Sequence, residues 1–432
     1  MNYNLTRKQQ EALEYMKHGH NVFLTGQAGT GKSYLLKIFI EWYHYNNDAD
    51  KNKIYVTSTT GLSSLLIDGI TINRYAGIGI GDKDVEHYFK KISKIPHMRK
   101  RWNETKVLVI DEISMMCPEL FDLLNILAKK IRKESLPFGG IQLILSGDFL
   151  QLPPINSSEF CFESFSWDDC IDRTFYFNEI LRQNDNVFQK VLNNIRVGIC
   201  DEQDKAILNS CLHRDFNNEH GIVPTVLFSK KSMVQEYNTK ELERLITNGN
   251  ESRMYKANYK FGNDSVPEST KDFLKELLNS STPVEDEIQF VMGNQVMLTI
   301  NMPEFGLANG SRGIITGFSR TGTTSEKNPI VKFLNGRELE IEKKSWTLDE
   351  NGASITKKQI PLIHAWAITI HKAQGMTLEY IVTDIGSSIF EYGQIYVVLS
   401  RVKSLEGLGL LNIDFSKIKS NPKILNYYNK LK

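Results

Sequence analysis

One short segment, residues 26–33, restricts the fold of this 432-residue chain more than any other part of it. The segment reads GQAGTGKS and matches the pattern GxxxxGK[ST], with the apolar residues 22–25 before it and an amphipathic stretch, residues 33–45, after it. A loop between a buried strand and a helix lets the backbone amides at the helix N-terminus face an anion. The segment therefore predicts a parallel α/β sheet with a phosphate-binding loop. A glycine-rich turn that only caps the helix is the alternative.

The residues of this loop have the chemistry that a nucleoside triphosphate requires. The glycines let the backbone curl around phosphate, Lys32 places a cation on the β- and γ-phosphates, and Ser33 offers a hydroxyl to Mg²⁺. A nucleotide with Mg²⁺ is therefore the expected ligand of this loop. The residues expected to contact it are Gly26, Gly29, Thr30, Gly31, Lys32 and Ser33.

Two further apolar stretches, residues 107–110 and 142–146, are followed by polar residues that suit the same chemistry. Asp111 and Glu112 follow the first stretch, where a phosphate-loop enzyme has a Mg²⁺-holding carboxylate and a water-activating one. Gln151 follows the second and could reach the γ-phosphate or its attacking water. The alternatives are a solvated strand end for the two carboxylates and a turn before Pro-Pro for Gln151.

Composition limits the class of protein and the kind of partner. The formal net charge is only +1, from 52 basic and 51 acidic residues, which argues against a protein that coats nucleic acid. A nucleic-acid site would have to be a narrow local groove that uses stacking, backbone amides and a few cations. No apolar run approaches the roughly 20 residues of a membrane span, and the first residues have no targeting pattern, so a soluble cytoplasmic protein is expected.

The length predicts two to four domains. The first domain is placed at residues 1–185 and the second at residues 186–246 and 360–432, with strands at 225–228, 380–385, 396–400 and 408–412. Residues 71–102 are interpreted as an irregular insertion in the first domain. Residues 247–359 contain hairpin-like stretches and are interpreted as a β-rich domain inserted in the second.

A series of motifs in a fixed order connects the chain to a known family. The motifs are LTRKQ (5–9), GQAGTGKS (26–33), TTGLSS (59–64), VLVIDEISMM (107–116), PFGGIQLILSGDFLQLPP (137–154), LRQ (181–183), NGSRG (309–313), AITIHKAQGMTL (367–378) and YVVLSRV (396–402). They resemble the Pif-type DNA helicases of superfamily one, subclass B, to which the RecD-like and phage Dda-like helicases are related. The amphipathic stretch 116–134 favours the Pif branch.

The resemblance implies roles for residues that no local pattern identifies. Gln9 would read adenine, Gly375 would contact the nucleotide, Arg182 would approach the γ-phosphate from the first domain, and Arg401 would act as an arginine finger from the second. Considered singly, both arginines could equally form surface ion pairs. The residues that the resemblance places on a DNA strand are Thr60, Gly61, Thr369, His371 and Lys372. A hydrogen-bonded core histidine is the alternative for His371.

Some positions depart from the family pattern. Ser63 and Ser64 stand where alanines are usual, Asn73 stands where histidine is usual, and Val398 replaces a common alanine. In and near the insertion, Tyr75 and Trp102 could stack a base or form part of a wedge that splits a duplex, but core packing is the favoured role. The strand contacts are therefore less firmly defined by sequence than the nucleotide site.

The resemblance implies a fold and an activity. The fold would be α/β, with two RecA-like phosphate-loop domains that clamp ATP, a wedge-like insertion in the first and a Src-homology-type barrel in the second. The activity would be that of an ATP-dependent DNA helicase, moving 5′-to-3′ in processes such as repair, recombination and telomere maintenance. The expected partners are single-stranded DNA and forked or 5′-tailed duplexes, with quadruplexes and RNA–DNA hybrids as open alternatives. A monomer of bacterial or viral origin is expected.

Two other classes of function stay open at this point. The same motifs serve a nucleic-acid remodeller that uses ATP as a switch without processive unwinding. A phosphate-loop kinase is disfavoured, because such an enzyme needs neither the second α/β half nor Arg401.

Overall fold

The computed structural model describes residues 4–47, 53–79, 81–154, 157–183, 185–216, 221–262, 267–319, 327–350 and 353–431. The chain forms two compact units. Unit 1 comprises Met1–Asp201, Glu391–Ser400 and Ile418–Lys432, and unit 2 comprises Glu202–Phe390 and Arg401–Lys417. The sequence interpretation ended the first domain at residue 185 and gave residues 360–432 to the second. The contacts instead extend unit 1 to Asp201 and return two later segments to it.

The described residues form the following helices and strands, which alternate in the two parallel-sheet regions. The first part of the chain contains α1 (Arg7–Lys17), β1 (Val22–Gly26), α2 (Lys32–Asn46), β2 (Ile54–Ser58), α3 (Gly61–Leu66), β3 (Ile70–Thr71), α4 (Ile72–Ala76), α5 (Val85–Lys94), α6 (Pro96–Glu104), β4 (Val107–Asp111), α7 (Pro118–Arg132), β5 (Gln142–Gly147), α8 (Trp167–Cys170), β6 (Arg173–Phe177) and α9 (Asn186–Arg196). The remainder contains α10 (Glu202–Asn209), β7 (Thr225–Phe228), α11 (Lys231–Thr247), β8 (Ser252–Lys256), β9 (Asn258–Phe261), α12 (Glu268–Ser281), β10 (Glu287–Val291), β11 (Gln295–Leu298), β12 (Arg312–Phe318), β13 (Pro329–Phe333), β14 (Glu338–Glu340), β15 (Lys344–Glu350), β16 (Ala353–Gln359), β17 (Leu362–His364), β18 (Ala367–Thr369), α13 (Ile370–Ala373), β19 (Ile381–Ile385), α14 (Gln394–Leu399), β20 (Leu408–Ile413) and α15 (Pro422–Lys430).

Unit 1 is organised around a parallel sheet in the order β3-β2-β4-β5-β1-β6. Successive side chains of its central strands enter cores on opposite faces, as the twofold periodicity of a strand requires. Phe23 and Leu108 join one core, whereas Val22, Leu24 and Val109 join the other. Because both faces are covered, β1 and β4 are buried along their whole length, which explains their continuous apolar sequences.

The described part of residues 71–102, predicted to be irregular, is largely helical, so that part of the interpretation is wrong. The side chain of Asp84 caps α5, and Pro96 occupies the first turn of α6, where proline is favoured. The many lysines and arginines hid the helical period of these short segments. Tyr75 and Trp102 are 1% and 0% exposed and belong to a core of unit 1, which confirms core packing over base stacking for both.

Unit 2 contains a second parallel sheet in the order β18-β7-β19-β20. The predicted β-rich insertion is confirmed by antiparallel strands, among them those ordered β14-β13-β12-β11-β17 and β15-β16-β9. The insertion also contains α12, which sequence reasoning missed and whose Leu274 and Leu278 pack with Leu348 and Ile355. Across the described ranges, no helix combines the length and apolar character that a membrane crossing needs.

The strand predicted at residues 396–400 is wrong, because this segment forms the helix α14. Every residue from Gln394 to Leu399 is buried, so the segment has no polar face to reveal a period, and a short apolar run cannot distinguish strand from buried helix. Gly393 begins the helix in a left-handed conformation, with φ 76°. Val398, the departure from the family alanine, is fully buried within it.

The packing of Trp102 predicts the effect of removing its side chain. Trp102→Ala should lower the free energy of unfolding by about 3–5 kcal/mol, because it leaves a large cavity in the core. The matched control is Phe165→Ala, since Phe165 is also in unit 1 but is 99% exposed, and it should change stability by less than about 0.5 kcal/mol. Urea unfolding followed by circular dichroism measures both. Equal shifts for the two variants would contradict the core assignment.

Candidate nucleotide site and strand-contact residues

The glycines of the phosphate loop are required by its backbone. Gly26, Gly29 and Gly31 have φ values of 139°, 82° and 79°, which side chains other than glycine rarely allow. A Cβ atom at Gly26 would lie 2.1 Å from the carbonyl oxygen of Phe177 on β6. The loop therefore passes against the neighbouring strand and delivers the chain to Gly31, which begins α2.

Lys32 is folded back on the loop. Its Nζ donates hydrogen bonds of 2.8 Å to the carbonyl oxygens of Gly26 and Gln27. Burial lowers the pKa of Lys32 from its usual value, while the carboxylates of Asp148 and Glu112 act in the opposite direction. An anion bound in the loop would replace these two neutral carbonyl acceptors with a full negative charge. The half-buried ammonium of Lys32 is therefore well suited to bind a phosphate oxygen.

Ser33 and Asp111 lie together at the carboxyl end of β4. The hydroxyl of Ser33 donates to Oδ2 of Asp111 over 3.3 Å. Asp111 is 5% exposed, and burial raises the pKa of its carboxyl, while the hydrogen bond from the backbone N–H of Glu112 acts to lower it. A carboxylate beside a hydroxyl is a donor pair that a hard divalent cation such as Mg²⁺ prefers. The residues present therefore fit the metal that the sequence predicted.

Glu112 has a strained backbone at the same strand end. Its φ of 53° is left-handed, a conformation that costs a non-glycine residue about 1 kcal/mol or more and is concentrated at functional sites. Hydrogen bonds of its backbone hold it there. Its N–H donates to Oδ1 of Asp111 at 2.9 Å, and its carbonyl accepts from the hydroxyl of Thr59 at 2.9 Å. The strain supports a functional role for the predicted water-activating carboxylate.

Gln151 follows β5 in a turn that depends on a buried ion pair. Its N–H donates to the carbonyl of Asp148 at 2.9 Å. The carboxylate of Asp148 accepts from Nε and Nη2 of Arg196 at 3.1 and 2.8 Å, and both side chains are almost fully buried. Burial alone would raise the pKa of Asp148, but the guanidinium outweighs it and lowers that pKa. Sequence reasoning missed Arg196, which lies 48 positions further along the chain and has no local signal.

Gln9 and Arg182 both contact the loop from other parts of unit 1. Nε2 of Gln9 donates to the carbonyl of Thr30 at 3.0 Å, and its Oε1 accepts from the N–H of Thr6 at 2.9 Å. The N–H of Arg182 donates to the carbonyl of Gly29 at 3.2 Å, and burial lowers the pKa of its guanidinium. The structure thus brings both predicted residues to the loop.

Helix α14 also reaches these loops, which the sequence interpretation did not anticipate. The hydroxyl of Tyr396 accepts a 2.7 Å hydrogen bond from the N–H of Ala28, and Nη1 of Arg182 donates to the carbonyl of Ser400 at 3.0 Å. A Cβ at Gly393 would lie 2.2 Å from the carbonyl oxygen of Gln151. Tyr396 belongs to the YVVLSRV motif, but the interpretation of this segment as a strand gave no indication that its side chain contacts the phosphate loop.

Arg401 and Gly375 lie in unit 2, where they share a neighbour. Arg401 is 1% exposed, its Nη1 donates to the carbonyl of Met376 at 3.4 Å, and its own carbonyl accepts from the N–H of Leu378 at 2.9 Å. Gly375 directly precedes Met376 and has φ 78°. The structure therefore places the predicted arginine finger beside the predicted nucleotide-contacting glycine.

The predicted strand-contact residues of unit 1 form a turn at the start of α3. The hydroxyl of Thr60 accepts from the N–H of Ser63 at 3.2 Å and lies 2.5 Å from its hydroxyl, and Ser64 bonds the carbonyl of Gly61 at 2.7 Å. Asn73, another departure, donates to the carbonyl of Gly79 at 2.8 Å. The three polar departures from the family pattern therefore form local hydrogen bonds.

Two of the three predicted strand-contact residues of unit 2 lie at a groove of about 570 Å³. Thr369 and Lys372 line it, together with Lys231 at the start of α11. The hydroxyl of Thr369 caps α13 by accepting from the N–H of Lys372 at 3.2 Å. His371, between them in sequence, is half-buried. Burial and, secondarily, Lys231 lower its pKa from 6.5, so it is neutral at pH 7 and suited to hydrogen bonding.

A family model, the PIF1-like helicase, matches residues 4–206 of the chain. The chain is 38% identical to the ATP-dependent DNA helicase PIF1 of Xenopus laevis, over 99% of this chain and 64% of that protein. It is similar to the crystal structure of Pif1 helicase from Candida albicans, with a TM-score of 0.84 and 35% identity over 100% of both chains.

A second solved structure is similar over almost the same length. Pif1 helicase from Bacteroides, in complex with ADP-AlF3 and ssDNA, has a TM-score of 0.69 and 26% identity, over 99% of this chain and 97% of that one. The chain spans 64% of the length of each of two curated relatives, from Xenopus laevis and Danio rerio. The described architecture therefore agrees with the fold of Pif1 helicases, including the predicted parallel sheets.

The Asp148–Arg196 pair predicts a stability that depends on pH. Asp148→Asn should lower the free energy of unfolding at pH 7 by about 3–5 kcal/mol, because it leaves a buried guanidinium uncompensated. The folded-state pKa of Asp148 is below its usual value of 3.8. The difference in the free energy of unfolding between wild type and variant should therefore be full above pH 3.8 and should shrink as the pH falls through the folded-state pKa.

Urea unfolding at pH values from 7 down to 3 measures this difference. The control is Glu14→Gln, which removes the exposed partner of Lys17 and should cost less than about 1 kcal/mol. An Asp148→Asn variant as stable as the control at pH 7 would contradict the assignment.

Proposed function

Since the chain belongs to the family of PIF1-like helicases, we propose that it is an ATP-dependent DNA helicase that moves 5′-to-3′ along single-stranded DNA. The observation that carries the proposal is the phosphate loop, with Lys32 folded back on it and Ser33 beside Asp111. The name of the Xenopus relative and the ADP-AlF3 and ssDNA complex of the Bacteroides neighbour support the same activity.

In the proposed reaction, the ends of three neighbouring strands supply the groups that hydrolyse ATP. Lys32 and the loop amides bind the β- and γ-phosphates after β1, Asp111 and Glu112 act after β4, and Gln151 acts after β5. Ser33 and Asp111 would hold Mg²⁺, which neutralises charge on the phosphate oxygens when bound. Glu112 accepts the proton of the attacking water, and Gln151 orients that water.

Two arginines would stabilise the charge that develops on the transferred phosphoryl group. Arg182 now donates to the carbonyl of Ser400, and it would exchange this acceptor for a γ-phosphate oxygen. Arg401 would supply a second cation as an arginine finger. Gln9 would bind adenine and Gly375 the phosphates. Exchange of neutral carbonyls for phosphate gives both guanidinium groups a stronger, charge-assisted acceptor.

For the DNA strand, we propose two contact regions with similar chemistry. Thr60 and Gly61 offer a hydroxyl and a backbone in unit 1, while Thr369, His371 and Lys372 offer a hydroxyl, a neutral imidazole and a cation in unit 2. Such groups bind a sugar-phosphate backbone without reading sequence. The proposed substrates are single-stranded DNA and forked or 5′-tailed duplexes, with quadruplexes and RNA–DNA hybrids as further candidates, and the proposed active form is a monomer.

Strand displacement on matched partial duplexes tests the proposed activity. With ATP and Mg²⁺, the wild type should unwind a duplex with a 5′ single-stranded tail and leave the same duplex with a 3′ tail intact. Lys32→Ala is the control and should lose both turnover and unwinding, because the phosphates lose their cation. Single-stranded DNA should strongly stimulate wild-type ATP hydrolysis, as measured by phosphate release.

Each departure from this result has a distinct meaning. Unwinding of the 3′-tailed duplex alone would overturn the polarity. DNA-stimulated hydrolysis without displacement of either duplex would favour the ATP-switched remodeller. An ATPase rate that does not change when DNA is added would refute the proposed function.

The arginine-finger assignment predicts a turnover defect with nucleotide binding retained. Arg401→Ala should reduce kcat for DNA-stimulated ATP hydrolysis by about 10³-fold, because such a cation acts chiefly in the transition state. Arg401→Lys tests whether charge alone suffices, since lysine cannot reproduce the planar guanidinium. The control is Arg312→Lys, another buried arginine of unit 2, which should keep kcat within about threefold. Wild-type turnover in folded Arg401→Ala would exclude the role.

A further inference from the structure

The hydroxyl of Tyr428, on α15, contacts the ends of two strands that lead into the nucleotide site. It lies 2.7 Å from the hydroxyl of Thr25, accepts from the N–H of Phe149 at 3.0 Å, and lies 3.2 Å from Oδ1 of Asp148. Thr25 directly precedes the phosphate loop, and the carbonyl of Asp148 accepts from the N–H of Gln151. One phenol therefore joins the entry of the phosphate loop to the turn that carries Gln151.

The position of this hydroxyl coincides with the end of the regular pairing between β1 and β5. The last paired residues of the two strands are Thr25 and Gly147. Beyond them the chain enters two separate loops, so ladder hydrogen bonds no longer set the distance between them. Tyr428 bonds to Thr25 on one side and to Phe149 on the other, and so continues the connection past the last pair.

The surroundings hold the phenol in one orientation. Tyr428 is 4% exposed, packs edge-on to Tyr176, and lies under the guanidinium of Arg196 at 5.1 Å. Burial and the neighbouring carboxylate raise the pKa of Tyr428 well above its usual value, so the phenol keeps its proton. A consistent assignment has Thr25 and the N–H of Phe149 donating to the phenol oxygen, and the phenol donating to Asp148.

We propose that Tyr428 is a positioning residue for ATP hydrolysis, whose hydroxyl fixes the phosphate loop relative to Gln151. The inference rests on the proposed function and extends it to a helix that the motifs did not include. Hydrolysis needs the γ-phosphate and its attacking water to be positioned relative to each other with a precision of a fraction of an ångström. A misplacement of about 1 Å can cost 10²-fold in rate. Binding of the phosphates by the loop does not depend on the position of the loop relative to the residues that follow β5.

The test replaces Tyr428 with phenylalanine, which keeps the ring and removes only the hydroxyl. Tyr428→Phe should lower kcat for DNA-stimulated ATP hydrolysis by roughly tenfold, with KM for ATP within about twofold of wild type. The control is Tyr427→Phe, one residue earlier on α15, where the ring stacks on Phe162 at 4.2 Å and the hydroxyl faces Trp167 and Thr174. It should leave both constants within about twofold.

A double-mutant cycle separates positioning from general damage to the fold. If Tyr428 acts through Gln151, then Tyr428→Phe should have no further effect on kcat in the Gln151→Ala background. A loss of folded protein would instead multiply the two defects. The number of ATP-binding sites per chain and the Tm of each variant are measured in parallel, and Thr25→Val probes the same hydrogen bond from the other strand.

The outcomes distinguish this inference from the proposed function. A wild type without DNA-stimulated turnover refutes the proposed function itself. With an active wild type, equal constants for Tyr428→Phe and Tyr427→Phe overturn the positioning role, as does a Tyr428→Phe defect that persists unchanged in the Gln151→Ala background. A kcat loss that vanishes in that background, with the number of binding sites unchanged, supports it.

Discussion

The central position of β1, hydrogen-bonded to β5 on one side and to β6 on the other, is the constraint on which the rest of unit 1 depends. Because β1 has neighbours on both edges, the loop after it must leave the sheet between two backbones. Only glycine at position 26 avoids the carbonyl of Phe177 at that point. The curvature that suits phosphate is thus a consequence of sheet order as much as of the loop's own sequence.

Buried charge is the second organising feature, and it is concentrated around Lys32. Asp148 is neutralised chiefly by Arg196, and Lys32 itself bonds to backbone carbonyls. Asp111 accepts hydrogen bonds from the hydroxyl of Ser33 and the N–H of Glu112, and burial raises its pKa. The site therefore combines a carboxylate that can bind a cation, Asp111, with an ammonium that can bind an anion, Lys32. A metal–phosphate complex requires both.

Sequence reasoning succeeded where a local pattern and a chemical requirement coincide. The strands β1, β4 and β5 and the loop at residues 26–33 were predicted because short apolar runs and phosphate-binding residues are adjacent in sequence. Arg196 could not be predicted, because its partner is remote in sequence and an arginine on an amphipathic helix has no distinguishing signal. The helix α14 was misread because complete burial removes the polar face on which periodicity depends.

The return of α15 to unit 1 also has a consequence for how the chain is made. Ile424 and Tyr428 belong to the same core as Phe23 and Leu108 on the central strands. A ribosome synthesises those strands early and α15 only at the end of this sequence. During most of synthesis, the apolar surface that α15 covers on the sheet around the phosphate loop therefore stays uncovered. The nucleotide site can reach its final form only after the last turn of α15 has emerged.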